Sequence, residues 1–201
     1  MLKSFRVVTG ALVALVFIFG SAAVASAATA NTTISSQINA VISLLSTNGT
    51  VNVNVTPTSG GVQTIASDTA TVSTNDVDGY TLQLGENTGA STMVSGSNTI
   101  PASAGSVVSP VAMAVDTWGF RVDGLAGSGF GAGPTSPQSS AAISALKFAA
   151  VPASGSPVTL ADTSAVATNA TTTVYYGVAA DTSQPSGTYT NVVTYTATTN
   201  P

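Results

Sequence analysis

The sequence predicts an all-β chain, and three observations carry that prediction. Apolar and polar residues alternate at period two in one segment after another, as strands with a single buried face require. Gly, Pro, Asn and Asp punctuate those segments at short intervals. Residues that decorate exposed helical faces are nearly missing, since only 6% of the chain is charged and Glu86 is its one glutamate.

The elements follow in chain order. Lys3 and Arg6 precede an apolar run over 7–19, and Ala25, Ser26 and Ala27 form a small-x-small cleavage site. This predicts a signal peptide over 1–27, too short for a spanning helix of about 20 apolar residues. The remainder, 28–201, starts at Ala28. Residues 34–45 place Ile34, Ile38, Val41, Ile42 and Leu45 at spacing a helix could use, but their β-branched content favours a strand. Val51, Val53 and Val55 alternate with polar residues and predict a half-buried strand. Further strands are expected at 69–74, at Tyr80, Leu82 and Leu84, at 111–115, and at Trp118, Phe120 and Val122. The Gly-rich stretch 124–140 reads as a long flexible loop. Strands then follow at 146–150, at 157–160, at Val174, Tyr176 and Val178, and at Tyr189, Val193, Tyr195 and Ala197. Asp78 with Gly79 forms one turn, and Pro185 sets φ for another before the last strand. Eight or nine short strands without a second composition regime predict a single antiparallel β-sandwich, immunoglobulin-like, over 28–201.

Composition limits what such a sandwich does. Beyond residue 27 the bases are Arg121 and Lys147 against eight acids, a net charge of −6. Without a basic patch to displace counterions, neither nucleic acid nor an anionic membrane is an expected partner. The absence of Cys excludes disulfides, thiolate metal sites and lipid attachment through a lipobox. The absence of His removes the commonest general base and every Ser-His or Cys-His arrangement. Ser144 and Lys147 spell SxxK, but no second Lys remains for the companion motif. Asp76 and Asp78, ahead of Gly79, resemble the opening of a calcium loop and are the one weak metal candidate; the expected reading is a solvated turn. Paired carboxylates for glycoside hydrolysis are not expected from one Glu and scattered Asp, nor is a phosphate loop from glycines lacking the required spacing. Lys147 is the one side chain that could form a lysine–asparagine crosslink. No cofactor and no enzymatic activity are expected. The aromatics Tyr80, Trp118, Tyr176 and Tyr195 either pack the core or form an exposed contact strip, and the pattern leaves both open.

Two stretches carry a family resemblance. VSTNDVDGYTL at 72–82 resembles the first motif of the WxL-type bacterial cell-wall-binding domain, with Tyr80 in place of Trp. GTYTNVVTYTA at 187–197, followed by Pro201, resembles the second, with Tyr195 in place of Trp and Ala197 in place of Leu. VYYG at 174–177 and PSGTY at 185–189 are also similar to spore-coat-U-like and fimbrial modules. The resemblance implies a secreted sandwich on the cell surface, held without a covalent or membrane anchor. Its partners would be a cell-wall polymer or other surface proteins, through a strip drawn from Tyr80, Leu82, Trp118, Tyr189 and Tyr195. The fimbrial similarity implies instead a pilus or coat subunit that self-assembles by strand addition. A Thr-rich terminal strand and the scarcity of Lys gatekeepers agree with that alternative.

Overall fold

The computed structural model describes residues 28–87 and 89–201, so the signal-peptide reading at 1–27 lies outside the described residues. Residues 28–37 form an exposed, irregular unit, and 38–201 form a separate compact body. In the body the strands are β1 (Ile42–Ser46), β2 (Val62–Thr74), β3 (Tyr80–Glu86), β4 (Met93–Ser95), β5 (Asn98–Ile100), β6 (Val111–Ala112), β7 (Thr117–Arg121), β8 (Gln138–Ala142), β9 (Lys147–Phe148), β10 (Val158–Asp162), β11 (Ala167–Ala180) and β12 (Val193–Thr199). No helix occurs among the described residues.

Two antiparallel sheets face each other. The larger runs β1-β2-β11-β7, and the smaller runs β10-β3-β12. Strand β2 is long enough to take two partners on one side, β1 along residues 70–74 and β8 along 62–65. Between the sheets, Ala70, Val72, Val174, Tyr176 and Val178 of the larger pack against Tyr80, Leu82, Leu84 and Leu160 of the smaller, with Trp118 and Phe120 closing the side. The alternation seen in the sequence is this inward face.

A second, smaller cluster explains what alternation alone misses. Ile65 and Ala179 point to the opposite face of the large sheet, where Met113 and Phe148 cover them. Half of β11 is therefore buried on both faces, and its VYYGVAA run is continuous rather than alternating. Gly177 sits at the closest approach of that outer layer. A Cβ there would lie 2.7 Å from the Met113 Sδ and 2.8 Å from the Phe148 ring.

Several expectations change in extent. Of residues 34–45 only 42–45 are strand, as the first four residues of β1. Val51, Val53 and Val55 alternate and pack against the core as expected, but their backbone joins no ladder. The expected strand at 111–115 shortens to β6, and Tyr189 precedes β12 rather than belonging to it. The loop 124–140 ends in β8 and is fastened rather than free. Gly124 N–H donates to Gly131 O at 2.8 Å, Gly129 N–H to Val107 O at 2.9 Å, and Phe130 is buried.

Candidate functional site

The aromatic residues expected to form a contact strip lie inside the sandwich. Tyr80, Leu82 and Trp118 are buried, and Tyr189 and Tyr195 are half-buried. The reason is register: Tyr80, Leu82 and Leu84 share one face of β3, and that face lies against Ala197 and Tyr195 of β12 and against the large sheet. The polar tips of Trp118, Tyr189 and Tyr195 have partners. Trp118 Nε1–H donates to Ser91 O at 2.7 Å, and the Tyr189 hydroxyl donates to Pro185 O at 2.7 Å. The Tyr176 and Tyr195 hydroxyls meet at 2.9 Å, joining the two sheets through the core. Burial, with the neighbouring phenol, holds the Tyr176 hydroxyl well above its ordinary pKa, and burial raises that of Tyr195. Tyr80, Leu82 and Trp118 thus pack in the core, while Tyr189 and Tyr195 pack against it half-buried.

Asp76 and Asp78 form a self-satisfied turn. Asp76 Oδ1 accepts Asp78 N–H at 3.0 Å, Asp76 O accepts Gly79 N–H at 3.2 Å, and Asp78 O accepts Asn200 Nδ2 at 3.1 Å. Gly79 has φ +83°, and any Cβ would overlap the Thr163 carbonyl, so the turn requires glycine. Among the described residues no three Asp or Glu side chains converge on a cation-sized space. Ser144 of the SxxK spelling receives Gln63 Nε2–H at 2.8 Å, and no hydrogen bond among the described residues joins it to the exposed Lys147.

The sequence reading missed two buried polar clusters. Arg121, 2% exposed, pairs with Asp123 at 2.6 Å and donates to Phe130 O at 2.9 Å and Lys147 O at 3.3 Å. Asp123 also accepts Thr135 N–H at 2.6 Å and its hydroxyl at 2.8 Å. Burial pushes the Asp123 carboxyl up, but Thr135 and the guanidinium outweigh it and hold it below the ordinary carboxylate range. Arg121 ends β7 and Asp123 lies in the turn that follows, and their i, i+2 spacing was the available signal. Glu86, 1% exposed, ends the inward face of β3 with Oε1 unpartnered, and burial raises its pKa. Asn191 has the same condition. Its Nδ2 is committed to Ala90 O and Thr92 O, leaving Oδ1 buried without a donor.

The surface depressions are shallow and their acids are occupied. One of about 490 Å³ is bordered by Asp123 and Asp162; the first is held as above, and the second accepts Thr81 Oγ1 and Asn200 Nδ2. The more distinctive surface feature is a sheet edge. Leu44 is 36% and Leu45 69% exposed on β1, which among the described residues pairs with a strand only on its β2 side. No charge occurs anywhere from residue 28 to 67. Comparison with family models, with curated proteins and with solved structures finds no match to the chain.

Proposed function

We propose that this chain is an exported, non-catalytic structural protein of the bacterial cell surface that joins its neighbours by strand addition at open sheet edges. The observation that carries the reading is β1, an apolar edge strand without a single charge to block pairing. Soluble sheets blunt such edges with Lys, Pro or an inward-pointing charge, and β1 has none of these. Retention at the surface then follows from assembly. The wall-binding strip suggested by the WxL resemblance has less support, because Tyr80 and Trp118 are spent on the core and Tyr195 on Tyr176.

Immunogold electron microscopy of surface material from the producing cells tests this reading. Label along regular filaments or an ordered layer is the expected result. Label confined to dispersed single molecules in the medium overturns it. Incubation with purified cell-wall sacculi separates the wall-binding alternative, for which the protein would sediment with sacculi at concentrations where it does not self-associate.

A further inference from the structure

Which edge joins which partner follows from the hydrogen-bond phase of β1, on the premise of the strand-addition reading. Thr47 N–H donates to Thr69 O at 3.0 Å, in continuous register with the β1–β2 ladder. In an antiparallel ladder, bonded and non-bonded pairs alternate. Leu45 and Ser43 are therefore the bonded partners of Thr71 and Ser73, while the backbone N–H and C=O groups of Ile42, Leu44 and Ser46 point away from β2. Among the described residues no other strand takes them.

We propose that these outward groups are a homophilic docking edge: β1 pairs antiparallel with β1 of a second copy, about a twofold axis at Leu44. That phase matches Leu44 with its own copy and Ile42 with Ser46, so every outward-pointing β1 residue becomes part of a bonded pair. On one face Leu44 covers Leu44 of the second copy; on the other, exposed Leu45 packs over Ser43.

Charge selects a second copy of this chain as the occupant. The molecule is net negative, and like copies repel unless they meet where charge is absent. β1 lies within the 28–67 stretch that contains no charged residue, and the first acid after it, Asp68, is buried and holds Ser46 Oγ at 2.7 Å. The other edges are less suited. β7 is bridged by Ala102 and Ala149, β8 is short and shifts register, β10 ends in Asp162, and β12 exposes Thr194, Thr196 and Thr198. A twofold contact closes on itself, so β1 pairing makes a dimer, and any longer assembly uses a second edge.

The native chain has no Cys, so one introduced thiol can crosslink only between copies. Paired strands hold facing Cα atoms about 5.5 Å apart, within disulfide reach. Leu44→Cys in the purified protein should form a disulfide-linked dimer under mild oxidation, whereas Thr196→Cys on the β12 edge should stay monomeric. In sedimentation equilibrium the native protein should dimerise, and Leu44→Lys, which sets two like charges opposite each other, should weaken the dimer at least about tenfold. Leu45→Lys, at a more exposed site, serves as the second variant, and thermal melting of both checks the fold. A native protein monomeric at all concentrations, equal crosslinking at both positions, or lysine variants that dimerise unchanged would each overturn the proposal. Filaments on cells without a β1 dimer would sink this inference and leave the surface-assembly reading standing; a β1 dimer without filaments would do the reverse.

Discussion

Glu86 and Asp123 are both carboxylates withdrawn from water, and their surroundings push them in opposite directions. Glu86 has only burial acting on it, so its folded pKa lies above the unfolded one. Its favourable contribution is complete below the ordinary carboxylate pKa and is lost as pH rises through the raised value. Asp123 has its pKa lowered on balance, so its contribution is present above the ordinary value and lost as pH falls through the lowered one. Thermal unfolding across a pH series should separate the two. Glu86→Gln should be more stable than the native protein at neutral pH and match it in acid, because the amide keeps the shape without the buried charge. The register continues past β12, with Asn87 N–H donating to Val192 O, and places Asn191 diagonally across from Glu86. A glutamine there also brings an N–H to that end of the core, where two oxygens lack donors. Parallel stability curves for native and variant protein would refute this account. Asp123→Ala should cost about 3–5 kcal/mol near neutral pH, because it strands a buried guanidinium. It should also release the 124–137 segment, detectable as faster amide exchange at Thr135.

At the scale of elements, β11 shows where a strand's reach exceeds its pattern. Gly177 lets Met113 and Phe148 close directly on the sheet, so Gly177→Ala should cost about 1–3 kcal/mol by overpacking. Chemical denaturation with an unchanged slope would identify this as a packing loss rather than a change of fold. The same element shows what sequence can and cannot convey. Period two was legible at Tyr80, Leu82 and Leu84 and at 69–74, because each has one buried face and a more open one opposite. It was legible at Trp118 and Phe120 because Gly119 and Arg121 alternate with them in residue type, although that face is buried too. Residues 62–65 and the second half of β11 are buried on both faces, which erases alternation. β4, β5 and β8 are short strands rich in Ser, Thr, Asn and Ala, with little to mark them as strands. Val51, Val53 and Val55 have the pattern but no ladder, since alternation reports burial and not pairing. The aromatic positions were legible as residues but not in role, because an alternating strand does not say which of its faces meets solvent. The Arg121–Asp123–Thr135 cluster depends on a loop returning after 12 residues, which local pattern does not encode.

For the molecule as a whole, the Tyr176–Tyr195 contact ties one sheet to the other through the core. Both phenols feel the charge of Asp68, but only Tyr195 also has it as a hydrogen-bond acceptor, whereas Tyr176, the deeper of the two, has its phenol neighbour alone. Tyr195→Phe should therefore destabilise by about 1–3 kcal/mol and Tyr176→Phe by less, because the first leaves a buried hydroxyl unpartnered and the second does not. A double-mutant cycle with both phenylalanines measures the coupling, and equal single losses would show that the partner assignment is mistaken.

The reach of Arg121 to the Lys147 carbonyl has a further consequence for resistance to proteases. Beyond residue 27 a trypsin-like enzyme has two bonds to attack, after Arg121 and after Lys147. The first side chain is sealed in the body, and the second bond has its carbonyl engaged by that same guanidinium and its following residue, Phe148, fully buried. Each cleavage point thus guards the other. Digestion of the folded chain should stall until global opening, whereas Asp123→Ala, by loosening the guanidinium, should expose the bond after Lys147 first.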